Sequence, residues 1–214
     1  LAIPVSRAFS RRNFVGRKIL ITFLGAPFIL PVIVAILGLV LVFGNSGLIK
    51  NIFNLDRLSI YGVHGVILAH VFFNLPLATR LLLQGWASIP SERLRLAQSL
   101  GFTPANFFFH LELPMLRRFV PGIFLIIFLI CTTSFAVALA LGGGPKSTTI
   151  ELAIYQAFRF DFNLSRVAIL SILQITICGL LAIFSFWVAV PVSYGGGLDR
   201  LRPQASGGRT VDLI

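Results

Sequence analysis

Long apolar runs separated by short polar segments dominate the pattern of this chain. A helix needs about 20 mostly apolar residues to cross roughly 30 Å of hydrocarbon. Four segments of the chain reach that length, and proline or glycine inside them is tolerated where neighbouring groups satisfy the freed backbone. Pro27, Pro31 and Pro76 predict kinks. The pattern therefore predicts an all-α, polytopic membrane bundle with about four transmembrane helices, at residues 19–43, 61–83, 119–141 and 167–190.

The sizeable polar segment between the second and third runs, residues 84–118, begins with the pattern of a short helix. Pro90 suits the first helical position, and Glu92 suits the first turn, where an acidic side chain is favoured. Gly101 suits a C-terminal stop, because glycine readily adopts the left-handed conformation that ends helices. These residues predict a first loop helix from about Pro90 to Gly101.

A second start signal follows at once. Thr103 is a suitable N-cap and Pro104 a suitable first helical residue. We expect this second loop helix to run to about Leu111 and to end at Leu113 and Pro114. A loop with two capped helices suits docking into a groove of a cytoplasmic partner, but an amphipathic hairpin lying on lipid headgroups fits the pattern equally.

Composition excludes an ordinary soluble domain. Hydrophobic residues make up 57% of the 214 residues and charged residues 12%, against roughly 25% charged in soluble domains. The net charge of +11 does not favour a nucleic-acid partner, because the basic residues are scattered between apolar runs, as in membrane proteins.

Charge also predicts the orientation, since cytoplasmic loops of membrane proteins carry an excess of lysine and arginine. With a cytoplasmic N-terminus, 13 of the 18 basic residues lie inside. Both ends and the loop 84–118 are then cytoplasmic, whereas the loops 44–60 and 142–166 face outward. The chain starts without a signal-peptide pattern, and we expect its first five residues to be the tail of an upstream span.

The polar side chains within the spans have two open interpretations. His70 and Asn74 share a helix face, Gln174 lies in the middle of the fourth span, and Ser134 with Phe135 lies in the third. Polar groups at membrane depth either hydrogen-bond to a neighbouring helix or line a substrate path. The outer segment that follows is either a flexible turn or a gate whose backbone can approach a partner closely: Gly142, Gly143, Gly144 and Pro145.

Chemistry-bearing motifs are otherwise missing from the sequence. Cys131 and Cys178 lie inside apolar runs without partners at metal-ligand spacing. The sequence has no spacing typical of a catalytic triad, a metal site or a phosphate-binding loop. We therefore expect a chain that needs no cofactor and is not itself an enzyme.

The cytoplasmic loop resembles the signature loop of permease subunits of ABC-type importers. That pattern is Glu-Ala-Ala, three residues, Gly, nine residues, then Ile-x-Leu-Pro. The resemblance implies a coupling helix that fits a cleft in a separate ATPase subunit, which would hydrolyse the ATP. Arginine stands where the family has its glutamate, and the matching positions here are Arg95, Leu96, Ala97, Gly101, Leu111, Leu113 and Pro114.

Two further segments, 61–78 and 133–157, are similar to thiamine importer permeases, and the similarity covers residues 1–190. It implies the type I importer permease fold in a bacterial inner membrane, with cytoplasmic ATPase subunits and a periplasmic substrate-binding protein as partners. Residues 191–214 would then link this domain to a second permease half. The cargo would be thiamine or a thiamine phosphate; permeases for iron(III) or another small solute are the alternative, and a membrane scaffold or sensor with a lipid-lying loop is a different class.

Overall fold

The computed structural model describes residues 1–12, 14–44, 47–48, 60–142, 144 and 148–188. All regular elements within these ranges are helical, which confirms the predicted all-α class. The predicted linker 191–214 lies outside the described residues. The α-helices are α1 (Ala2–Arg11), α2 (Arg17–Phe23), α3 (Ala26–Ile29), α4 (Val32–Phe43), α5 (Val63–Ala87), α6 (Ser91–Ser99), α7 (Pro104–Phe107), α8 (Leu113–Thr132), α9 (Phe135–Leu141), α10 (Ile150–Arg159) and α11 (Leu164–Val188).

Three stretches of the described chain are long and apolar enough to cross a membrane: Val63–Ala87, Pro104–Thr132 and Leu164–Ser185. The first and last confirm the predicted second and fourth spans. Helix α5 runs without interruption through Pro76, which is buried; proline inside a membrane helix is tolerated where neighbouring groups satisfy the freed backbone.

The prediction of one continuous helix over 19–43 is wrong. The segment is divided into α2, α3 and α4, with Leu30 in an extended conformation before Pro31. A residue before proline is pushed out of the helical region by the proline ring, so the kink predicted at Pro31 is a break. The interruption near Pro27 lies at Leu24 and Gly25, whose dihedral angles remain helical. Helix α4 has 12 residues, which is about 18 Å at 1.5 Å per residue and too short to span alone.

The helix that contains the third predicted span begins and ends at other residues than the sequence predicts. The helix starts far upstream at Pro104 and runs unbroken for 29 residues, so Pro114 does not end it. A π-helical turn, Phe108–Glu112, precedes the proline, and the Leu113 N–H bonds to the Phe108 carbonyl. Such a turn accommodates a residue that cannot donate to the regular ladder. At the other end the helix stops at Thr132, and α9 starts anew at Phe135.

Two apolar clusters hold the bundle together, and α5 contributes to both. Ile36, Ala69 and Leu141 belong to the first, which joins α4, α5 and α9. Leu82 and Met115 belong to the second, which joins α5 and α8. Most other large apolar side chains are exposed, as expected of helices surrounded by lipid or by further helices.

Candidate functional site: the coupling loop and the path residues

Helix α6 ends as the sequence predicts. Gly101 has a φ of +65°, a left-handed conformation that glycine adopts without strain. The Phe102 N–H donates to the Ala97 carbonyl at 3.0 Å and the Gly101 N–H to the Gln98 carbonyl at 3.1 Å. These two bonds form a Schellman motif, so Gly101 fixes the end of the helix.

The start signals are confirmed with one shift. Pro90 is the N-cap of α6 rather than its first helical residue. The Thr103 hydroxyl caps α7 by accepting a hydrogen bond from the Asn106 N–H at 3.3 Å, and Pro104 follows at the predicted position. The loop is therefore an ordered pair of helices.

Burial divides α6 into two faces. Ala97 is 3% exposed and anchors the helix, whereas Leu96 and Leu100 are 60% and 70% exposed. A Cβ placed on Gly101 would meet no atom within 4 Å, and Arg95 is also exposed. The open side of α6 thus presents apolar side chains at the end of the bundle.

A carboxylate that the sequence did not single out lies at the end of the loop. Glu112 occupies the variable position of the signature between Leu111 and Leu113, and it is only 1% exposed. Its Oε2 accepts a hydrogen bond from Arg7 Nε at 2.9 Å, and its Oε1 pairs with Arg11 Nη2. A buried carboxylate needs such partners, because desolvation of an unpaired charge is very costly.

Helix α1 makes further contacts around this ion pair. The Trp86 indole N–H donates to the Ser6 hydroxyl at 3.1 Å in a buried bond. The guanidinium groups of Arg7 and Arg11 lie over the rings of Phe108 and Phe107, at 5.5 Å and 4.7 Å from the ring centroids. We call this set, with Glu112, the arginine clamp. It joins α1 to the end of α5 and to the end of the coupling loop.

The polar residues predicted within the spans are distributed over several helices. Asn74 is buried and donates to the His70 carbonyl at 2.9 Å and to Cys131 Sγ at 3.5 Å. The second of these bonds joins α5 to α8. Gln174 is also buried, and its amide contacts Cys178 Sγ at 3.7 Å within its own helix.

Ser134 and Phe135 lie where the third predicted span is interrupted. Ser134 is the N-cap of α9 but makes no side-chain capping bond. The Phe135 ring packs edge-on against Tyr155 of α10, with centroids 5.2 Å apart. Among the described residues, no hydrogen bond or ring contact joins Asn74, Phe135 and Gln174 to one another.

The outer glycine segment is described only in part. Gly142 is buried at the end of α9, and its N–H donates to the Ala138 carbonyl at 2.9 Å. Gly144 is exposed with a φ of +142°, which favours glycine. The predicted gate residues Gly143 and Pro145 lie outside the described residues.

The helices and the capped loop define a class: a polytopic membrane permease subunit. Residues 2–193 match the family described as the binding-protein-dependent transport system inner membrane component. The chain belongs to that family and is therefore a multi-pass inner membrane protein.

Curated relatives give the likeness in more detail. The chain is 45% identical over 188 residues to the thiamine transport system permease protein ThiP of Salmonella typhimurium, covering 86% of this chain and 35% of that protein. It is 46% identical over 181 residues to ThiP of Escherichia coli, covering 83% and 34%. With ThiP of Haemophilus influenzae it shares 40% identity over 199 residues, covering 91% and 37%. The chain thus spans about a third of the length of these relatives.

Proposed function

We propose that this chain is part of the transmembrane permease of an ATP-driven importer that moves thiamine or thiamine phosphates across the inner membrane. The cargo is suggested by the names of the relatives, which are thiamine transport permeases. The observation that carries the mechanism is the exposed face of α6, with Leu96 and Leu100, placed just before an unbroken helix into the membrane.

ATPase subunits would dock on the open side of α6. Apolar side chains exposed on a rigid helix suit a groove in a protein partner. Ala97 would anchor the helix from beneath, and Gly101 would let the partner approach the backbone closely. Arg95 would offer a positive group where the family pattern has a carboxylate, and ATP would be hydrolysed in the partner.

Movement of α6 would reach the membrane through two connections. The first is the continuous stretch Pro104–Thr132, which contains Leu111, Leu113 and Pro114. The second is the arginine clamp, which ties Glu112 to α1. Rigid-body rocking needs stiff elements of this kind, so closure of the ATPases would tilt α8 and α1 together.

The substrate path would pass the broken third span. Discontinuous membrane helices commonly form the substrate sites of transporters, and α8 and α9 are separated at Thr133 and Ser134. We propose that a soluble binding protein delivers the cargo to the outer segment at 142–145. His70, Ser134, Phe135 and Gln174 remain the proposed lining of the path, whereas the bond from Asn74 to Cys131 supports the packing interpretation for Asn74.

Orientation and assembly complete the proposal. The excess of basic residues supports a cytoplasmic position for α1 and the loop. Contact between α1 and the loop through the Arg7–Glu112 pair supports one common side for both. Residues 1–190 would form the permease domain, and 191–214 would lead to a second permease half.

Uptake by the whole transport system in proteoliposomes tests the function. The full-length permease, its ATPase and its binding protein are supplied with ATP and with radiolabelled thiamine or iron(III). ATP-dependent accumulation of thiamine is expected. Accumulation of iron alone would replace the cargo, and ATPase-independent membrane binding of the loop without any transport would favour a scaffold or sensor.

A further inference from the structure

A basic surface lies at the corner between α1 and α2, at the same end of the bundle as the coupling loop. Arg12, Arg17 and Lys18 belong to this corner, and Asp56 is the first acidic residue of the sequence. Arg12 and Lys18 are exposed. Among the described residues, neither of these two side chains forms an ion pair or a hydrogen bond. Their charges are therefore not compensated within the described part of the chain.

Arg80 of α5 brings a further positive charge to α2. A Cβ placed on Gly25 would lie 3.2 Å from the Thr22 carbonyl oxygen and 3.4 Å from Arg80 Nη1, so the guanidinium group reaches the end of α2. Arg80 is exposed, and in the ranges that the structure describes its side chain has no ion-pair or hydrogen-bond partner.

The depth of Arg80 makes this lack of a partner informative. Arg80 lies seven residues before the end of α5 at Ala87, which is about 10 Å at 1.5 Å per residue. A charged side chain at such a depth in a membrane helix is costly unless it pairs with another group or reaches the interface. We therefore looked for an anion that Arg80 could meet beside α2.

Lys18 and Arg80 lie at opposite ends of one face of α2. Lys18, Thr22 and Gly25 follow one another at intervals of four and three positions, which places them on the same side of a helix. The Thr22 hydroxyl donates to the Lys18 carbonyl at 3.0 Å, and the dihedral angles remain helical through Gly25. From Lys18 to Gly25 the helix rises about 10 Å. We call the surface formed by Lys18, Thr22, Gly25 and Arg80 the basic face.

Apolar side chains border the basic face. An open groove of about 400 Å³ is lined by Phe14, Gly16, Arg17, Lys18 and Ile19. Phe14 and Ile19 are exposed, and Arg17 is held beside them because its Nε donates to the Phe9 carbonyl at 2.8 Å. Positive groups next to exposed apolar side chains are typical of segments that lie at a membrane surface.

We propose that the basic face binds the phosphate of an anionic phospholipid from the surrounding membrane. Lys18 and Arg80 would hold the phosphodiester between them, and Phe14 and Ile19 would contact the acyl chains. Basic pockets between membrane helices bind anionic headgroups in this way, and the inner membrane family of this chain places it among such lipids. The bound lipid would tie α2 to α5. This proposal does not depend on the cargo.

Lipid binding to the full-length permease tests the proposal without transport. Native mass spectrometry compares phosphatidylglycerol with phosphatidylcholine of the same acyl chains. Lys18→Gln and Arg80→Gln should each weaken phosphatidylglycerol binding about 5-fold, as expected for one basic residue near an anionic surface, and should leave phosphatidylcholine unchanged. Arg80→Lys, which keeps the charge, should retain most of the binding.

The matched control is Arg159→Gln, because Arg159 is an exposed arginine at the end of α10, outside the basic face. Its phosphatidylglycerol affinity should equal that of the wild type. Equal affinity of the wild type, Lys18→Gln and Arg80→Gln would overturn the proposal, as would an equal loss of both lipids. A further helix of the full-length protein that covers the basic face would also give the equal-affinity result.

Two further measurements separate a lipid from a soluble phosphate and check the folded protein. Soluble glycerol phosphate should not compete with phosphatidylglycerol; full competition would show that the face takes a free phosphate ester and would contradict the lipid assignment. In nanodiscs, phosphatidylglycerol should raise the unfolding temperature of the wild type more than that of the double variant Lys18→Gln/Arg80→Gln, because a ligand stabilises the folded state that binds it. An equal rise in both proteins would count against the proposal.

Discussion

Arg7 and Glu112, 105 positions apart in the chain, form an ion pair with an Nε–Oε2 distance of 2.9 Å. The carboxylate is almost fully buried, whereas the arginine side chain is 32% exposed. The pair joins the first helix to the last part of the coupling loop, within the continuous helix Pro104–Thr132. Under the proposed mechanism, this placement would give the N-terminal helix a part in transmitting loop movement.

Replacing Glu112 should therefore harm both stability and coupling. Glu112→Gln leaves the guanidinium groups of Arg7 and Arg11 without their charged partner, and breaking a buried pair costs about 3–5 kcal/mol. Partial exposure of both arginines reduces that figure to about 1–3 kcal/mol. Thermal unfolding in detergent should start at a lower temperature, and ATP hydrolysis should become less tightly coupled to uptake.

Asp161→Asn is the control for this effect, because Asp161 forms an exposed ion pair with Arg166 and lies outside the coupling loop. A double-mutant cycle with Arg7→Met measures the coupling energy of the pair. If the stability losses of the two single variants simply add in the double variant, the contact contributes no coupling energy.

Gly65 should tolerate no side chain. A Cβ at this position would lie 1.6 Å from the carbonyl oxygen of Ile60, and backbone cannot give way as a flexible side chain does. Gly65→Ala is expected to destabilise the packing of α5 by about 1–3 kcal/mol. The matched control is Gly122→Ala in α8, where no atom lies within 4 Å and the helix should gain slightly. Equal unfolding temperatures for the two variants would contradict the packing of Ile60 on α5.

Gly101→Asp should abolish transport without loss of membrane insertion. Aspartate tolerates the left-handed conformation better than most residues, so α6 should still end at this point. The added carboxylate would stand on the surface that docks the ATPase. Uptake and co-purification of the ATPase measure the effect.

Gly16→Asp is matched to it, since Gly16 also has a positive φ and open space around its Cβ but lies outside the loop. Uptake by Gly16→Asp should be near normal. Normal uptake by Gly101→Asp would show that Gly101 does not take part in docking.

Asn74 should act through helix packing. Its side-chain amide donates a hydrogen bond to Cys131 Sγ across the α5–α8 interface. Interhelical hydrogen bonds in membranes contribute on average about 0.6 kcal/mol to stability. Asn74→Ala should lower the unfolding temperature slightly, and Cys131→Ala should have a similar effect that is not additive with it. A large rise in thiamine KM without destabilisation would instead assign Asn74 to the substrate path.

Local signals in the sequence were sufficient for the loop and for two spans. The capping signals at Thr103 and Gly101 involve residues that are close in the chain, as do the apolar runs of α5 and α11. The helix ends and the spans that they predict therefore follow from local sequence. Breaks were harder to foresee. Positions 31 and 76 are both proline, yet Pro76 is buried inside a continuous helix, whereas Pro31 is exposed and follows the extended Leu30.

Tertiary relationships explain the remaining differences. The helix passes Pro114 because a π turn rearranges the bonds before it, a change that depends on the geometry of the whole stretch. In the sequence alone Glu112 is a variable position of a motif. Its role could not be foreseen, because its partners Arg7 and Arg11 lie over a hundred residues earlier in the chain. The apolar groove beside Phe135 and Tyr155 likewise needs α9, α10 and α11 to meet, which no local pattern specifies.

Disulfide cross-linking from α6 to the ATPase tests the central proposal most directly. Cysteine is introduced at Leu100, which is 70% exposed, in a full-length permease whose Cys131 and Cys178 are replaced by serine. The control is Leu164→Cys, 68% exposed at the start of α11. The proposal predicts a cross-link to cleft cysteines of the ATPase from Leu100→Cys that changes with ATP, and none from Leu164→Cys. A loop that never cross-links to the ATPase while the transporter remains active would contradict it.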